Sequence, residues 1–170
     1  MKTIDTLSLS VLAPRGLAGR MAGLVLALAW SAIGPAWAQT EAQPKLETVA
    51  LSAGMHLVRA EVAATPDQQR SGLMFRRSMA PNDGMLFVYE APQLQCFWMR
   101  NTVLPLTIAF IDDEGRIVNL ADMQPHDESP HCSAKPVRFA LEMNQGWFAK
   151  RGLKAGFQLR GSPFQTRAAR

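Results

Sequence analysis

Cys96-Phe97-Trp98-Met99-Arg100-Asn101-Thr102 brings a thiol, two aromatic rings, a thioether, a guanidinium and an amide into one short stretch. Apolar runs flank it on both sides, which places it inside a domain. As a strand it would divide into two faces, with Phe97, Met99 and Asn101 on one and Cys96, Trp98, Arg100 and Thr102 on the other. Polar donors set among large apolar groups are what a pocket wall requires. Glu142 is the natural partner, because it and Arg100 both fall mid-strand between apolar neighbours. Charges in such positions are costly unless paired. Arg100 could present its fork to an anionic ligand with Glu142 orienting it, or the two could simply lock neighbouring strands together. An enzyme built on the same pair would use Glu142 as general base and Arg100 as electrostatic stabiliser.

Further residues join or compete with this pair. Arg76, like Arg70 close to Gly72, would bring a second positive charge to the pocket, or would belong to a solvated helix face. Trp98 and Met99 would stack on a ligand or fill a core. Asn101 and Thr102 would bond a ligand or neighbouring backbone. The expected ligand-binding set is therefore Arg76, Trp98, Arg100, Asn101, Thr102 and Glu142. His126 and His131, with Met123 and Cys132, form a soft donor set that would suit copper, but their spacing matches no ligand motif, so neither a metal nor any other cofactor is expected. His56 reads as structural. The serines lack a nucleophile-elbow context, and Glu61, Asp112, Asp113, Asp127 and Glu142 form no evident pair for glycoside chemistry. A binding module for a small molecule or an envelope protein is the leading reading. A small hydrolase or modifying enzyme and a structural envelope module are the alternatives.

The chain has 170 residues, 48% apolar and 19% charged, which describes a globular protein and not a disordered one. Residues 1–38 have the pattern of a secretory signal. Arg15 and Arg20 precede an uncharged run from Met21 to Ala38, Gly34 and Pro35 break it, and Ala36-Trp37-Ala38 offers small residues where signal peptidase reads. Cleavage between Ala38 and Gln39 is expected, with a periplasmic or secreted product that meets the membrane only through its signal. A retained anchor is the alternative, since the run approaches the length of a span. No cysteine stands at the cleavage site and no paired arginines precede the run, so a lipid-anchored form or a twin-arginine route is not indicated.

Of 18 basic and 14 acidic residues, Lys2, Arg15, Arg20 and Asp5 lie in the signal, which leaves 15 against 13, a net charge of +2. That is too small to argue for nucleic acid. Both cysteines, Cys96 and Cys132, lie in the exported part, and an even count in an oxidising compartment favours a disulfide over two free or metal-binding thiols.

The elements that must position these residues read as strands. Residues 39–48 form a polar linker. His56, Val58, Ala60 and Val62 alternate with their neighbours within a strand region at 49–63. Thr65-Pro66-Asp67-Gln68 is a helix start with a capping box, and Gly72 ends the helix. Pro81-Asn82-Asp83-Gly84 makes a turn into an apolar strand at 85–89, followed by a loop at 90–95. The strand at 96–102 is closed by Pro105. Leu106 to Ile111 and Arg116 to Ala121 form a hairpin through Asp112-Asp113-Glu114-Gly115. Residues 123–136 are the longest loop. A strand follows at 137–143, a turn of helix at 145–151 ended by Gly152, a short strand at 157–160, and a polar tail at 161–170. This predicts one mainly β domain over 49–160, sandwich-like or barrel-like, with about seven strands and one or two short helices.

Several blocks, in order, resemble Domain of Unknown Function 192. They are Arg70-Ser71-Gly72-Leu73-Met74-Phe75-Arg76, Gly84-Met85-Leu86-Phe87-Val88, Phe97-Trp98-Met99-Arg100-Asn101-Thr102 with Pro105-Leu106, Ile108-Ala109-Phe110-Ile111-Asp112 with Gly115, and Ala140-Leu141-Glu142-Met143-Asn144 with Gly146. The resemblance implies a compact, mostly β, often exported domain and implies no activity. The family pattern usually carries an aspartate after Pro-Leu, where this chain has Thr107, so no mechanism resting on that carboxylate carries over.

Overall fold

The computed structural model describes residues 40–164. The expected signal and its cleavage site, and the tail from 165 onward, lie outside the described residues. Among the described residues, eight strands form two sheets. The larger has six strands in the order β1-β2-β3-β8-β5-β6, and β4 and β7 make a separate two-stranded ribbon. The strands are β1 (Thr48–Ala53), β2 (His56–Ala63), β3 (Asp83–Gln93), β4 (Cys96–Phe97), β5 (Leu106–Ile111), β6 (Ile117–Met123), β7 (His131–Cys132) and β8 (Val137–Asn144). One short helix, α1 (Pro66–Ser71), lies between β2 and β3, the one parallel pair in the large sheet. The mainly β expectation holds.

Helix α1 starts where its capping residues place it. Thr65 Oγ1 accepts from Gln68 N at 3.3 Å, and Gln68 Oε1 accepts from Thr65 N at 3.0 Å, so two otherwise unpaired amides are satisfied reciprocally. Gly72 ends the helix at φ 46, and a Cβ there would lie 3.3 Å from the Phe87 ring, so the bare backbone lets the helix end rest on β3. The polar stretch before β1 is tied to the fold: Gln43 Nε2 donates to Gly72 O at 2.8 Å, and Leu46 N donates to Glu61 at 2.8 Å.

Strands β3, β8 and β5 are the buried centre of the sheet, and every residue of β5 is buried. Such strands are covered on both faces. On the first face, Leu86, Ala109, Ile111, Phe139, Leu141 and Met143 pack with Trp147, Phe148, Leu153 and Leu159. On the second, Met85, Phe87, Ile108, Phe110 and Ala140 pack with Leu73, Met99 and Leu104. The edges β1 and β6 do not pair with each other, so the sheet is not a closed barrel. The segment after Gly156 hooks both edges instead. Arg160 exchanges hydrogen bonds with Ser52 at 2.8 and 2.9 Å, and Ile117 N and Leu159 N bond Phe157 O and Gly115 O at 2.9 and 2.8 Å.

Three local expectations need correction. The strand expected over 96–102 stops at Phe97, and Trp98 onward is loop and turn. The loop expected at 90–95 is largely strand, because β3 runs on to Gln93 through an irregularity between Val88 and Gln93. The strand expected at 157–160 is reduced to isolated bridges. Among the described residues no helix is long and apolar enough to cross a membrane.

Candidate functional site

Glu142 lies in the middle of β8, opposite Met85 of β3 and Ile108 of β5. Its flanking residues Leu141 and Met143 point to the first face, so its carboxyl points into the second. It is 4% exposed, and no hydrogen bond or ion pair to it is found among the described residues. Burial alone pushes its pKa up to about 8, because the charged form loses hydration with nothing in exchange. Above it is a cavity of about 280 Å³ lined by α1 and its C-terminal end, by Phe87 and Tyr89 of β3, by Cys96 and Phe97, and by Trp98 and Thr102. Burial, with a smaller contribution from the nearby Glu142 charge, pushes the Tyr89 hydroxyl up to about 12.

The loop after β4 is held on both sides. Phe75 N donates to Asn101 O at 2.8 Å, Met99 N to Asp127 O at 2.7 Å and His126 N to Thr102 O at 3.1 Å. Phe75, Asn101 and His126 are the non-glycine residues with positive φ among the described residues, at 62°, 57° and 62°. All three belong to this set of contacts. Left-handed backbone in larger residues persists only where surrounding structure enforces it. Phe97 completes the wall, edge-on to Phe87 at 4.8 Å and to Phe110 at 5.9 Å. Cys96 and Cys132 form a disulfide with their Cα atoms 4.0 Å apart, which ties β4 to β7 and to the long loop.

The expected site residues divide. Glu142, Trp98 and Thr102 line the same cavity. Trp98 is 51% exposed at its side, and Thr102 is buried. Asn101 is exposed on the turn. Arg100 is exposed, does not line the cavity and forms no ion pair with Glu142, so the expected Arg100–Glu142 pair is absent. The reason is the end of β4, since without a strand beyond Phe97 the side chains no longer alternate across a sheet. Arg76 also lies elsewhere. It pairs with Glu61 at 3.0 Å and borders a separate depression of about 490 Å³ with Lys45, Arg59 and Arg77. The arginine at the Glu142 cavity is Arg70, whose guanidinium bonds Asp67 one helical turn away.

His126 is exposed, and His131 Nε2 sits 3.9 Å from Asp127, whose carboxylate is held below its ordinary range by hydrogen bonds from Ser129. With Cys132 in the disulfide, no three potential metal-binding side chains converge among the described residues. His56 packs edge-on to Trp147 at 6.3 Å. Sequence reasoning missed Tyr89, Met74 and Gln69 as lining residues. Tyr89 was within reach, since it stands two positions from Phe87 on a strand and so shares its face.

Thr107 lies on the other side of the sheet. Its hydroxyl donates to Asp122 at 2.5 Å and accepts from Gly146 N at 3.1 Å. The carboxylate missing at position 107 is thus not a lost member of the Glu142 cavity.

The comparisons add a family and no activity. The family model DUF192, described as "Uncharacterized ACR", matches residues 48–161. A crystal structure from Sinorhizobium meliloti 1021, described as a candidate transcription regulator, is similar at 34% identity and TM-score 0.68, covering 71% of this chain and 98% of that one. A protein of unknown function from Novosphingobium aromaticivorans DSM 12444 is similar at 39% identity and TM-score 0.62, covering 66% of this chain and 83% of that one. No curated protein matches the chain. With a match over most of its length, the chain belongs to the DUF192 family, a group defined by sequence and described as uncharacterised.

Proposed function

We propose that this protein is an exported binding module for a small ligand, and that the Glu142 cavity is its pocket. The observation that carries this is a carboxyl with no described protein partner at the floor of a cavity walled by aromatic rings. A structural charge would be paired, because leaving one buried and unpaired costs several kcal/mol or forces it to take up a proton. A loop held by three cross-loop hydrogen bonds supplies the rigid wall that a binding site needs. Export is supported by the signal-like N-terminus and by the disulfide, which suits an oxidising compartment.

The test is a thermal-shift screen of the full chain against small metabolites, repeated on Glu142→Gln and Trp98→Ala. Compounds that stabilise the wild type should lose their effect in Glu142→Gln and weaken in Trp98→Ala, while Arg100→Ala behaves as wild type. Hits indifferent to both cavity substitutions would remove the pocket assignment.

A further inference from the structure

Three properties of the cavity bear on the charge of what it holds. Its floor carries an acid whose neighbours across the sheet, Met85 and Ile108, are apolar. Its lining includes the aromatic residues Phe87, Tyr89, Phe97 and Trp98 and the thioether-bearing Met74. Aromatic faces carry negative quadrupole potential and attract cations, most strongly where water is excluded. The one cation at the rim, Arg70, is already bonded to Asp67, and its side chain is 72% exposed.

We propose that the cavity binds a small organic ammonium ion, with the ammonium charge against the Glu142 carboxylate and its alkyl groups against the aromatic walls. This rests on reading the cavity as a ligand pocket. An anion would find no free cation near the acid among the described residues. The volume, about 280 Å³, is at the small end for ligand sites and fits a simple amine better than an extended polyamine.

Binding balances charge by releasing a proton. In the empty site Glu142 holds its proton at neutral pH. When the ammonium enters, that proton leaves to solvent and a carboxylate–ammonium pair remains, so the floor never carries an unbalanced charge. The other groups facing the acid do not compete for this role. Tyr89 stays neutral, Arg70 is engaged by Asp67, Cys96 is in the disulfide, and His131, across the ribbon from Phe97, turns to Asp127.

The experiment is isothermal titration of the full chain at pH 7 with propylammonium and tetramethylammonium chloride. Butyrate and tert-butanol serve as anionic and neutral counterparts, and buffers of different ionisation enthalpy are compared. The ammonium probes should bind at least about tenfold more tightly than their counterparts and release about one proton each. Glu142→Gln, nearly the same shape, should remove that preference. Trp98→Ala, on the exposed rim, should weaken binding roughly two- to fivefold without affecting folding. Butyrate or tert-butanol binding as tightly as the ammonium ions would overturn the ligand class; if that binding were lost in Glu142→Gln, the pocket reading would stand. No heat from any of the four probes would also overturn the ammonium assignment. The separate metabolite screen then judges the pocket itself.

Discussion

Glu142 is an ordinary residue in an unusual place, and its titration should be visible in the stability of the whole chain. Unfolded, its carboxyl titrates near 4.5, and folded it is pushed up to about 8. Between these values the folded chain holds a proton that the unfolded chain has released. The contribution of Glu142 is therefore fully present below about 4.5, declines as pH rises towards 8, and levels off above that. Urea denaturation across this range should show wild type losing on the order of 3–5 kcal/mol relative to Glu142→Gln. Parallel curves for the two proteins would mean that the carboxyl is hydrated and the cavity floor is not dry. The sequence marked Glu142 correctly as a charge among apolar residues but assigned it the wrong partner. Spacing along a chain shows that a charge is buried and not which way a distant arginine points. Thr107 is a similar case, for its bonds reach Asp122 on β6 and Gly146 in the turn after β8 and leave no local trace.

Among the elements, those with local chemistry were readable. The capping box of α1, the hairpin at Gly115 with φ 82, and the central strands β5 and β8 all follow from nearby residues. The stretch after Cys96 was misread because large apolar and polar residues mix in it between apolar runs, a pattern that a strand and a held loop share. What ends the strand is the left-handed turn at Asn101 and hydrogen bonds to segments distant in sequence, which no window of residues contains. Gly84 was assigned to a turn, yet it lies within β3 where β8 approaches closely. A Cβ there would fall 2.6 Å from the Glu142 carbonyl oxygen. Gly84→Ala should therefore displace β8 and destabilise the protein by about 1–3 kcal/mol. Chemical denaturation would measure the loss, and an unchanged midpoint would mean that β3 and β8 can part without cost.

For the molecule as a whole, the disulfide closes a loop between residues 36 apart and clamps the two strands of the ribbon together. Replacing both cysteines by alanine should cost roughly 4 kcal/mol by the loop-entropy relation. Equal denaturation midpoints for the oxidised wild type and the double variant would contradict that. The sheet order has a consequence for how the chain is made. β8 lies between β3 and β5, yet it is synthesised after β6. Until residues 137–144 have left the ribosome, β3 and β5 each present a bare inner edge, and neither half of the sheet has its central neighbour. The nascent chain therefore has no complete core to fold around during most of its synthesis. Under the proposed export, this late-arriving strand would keep the chain unfolded until it has crossed the membrane.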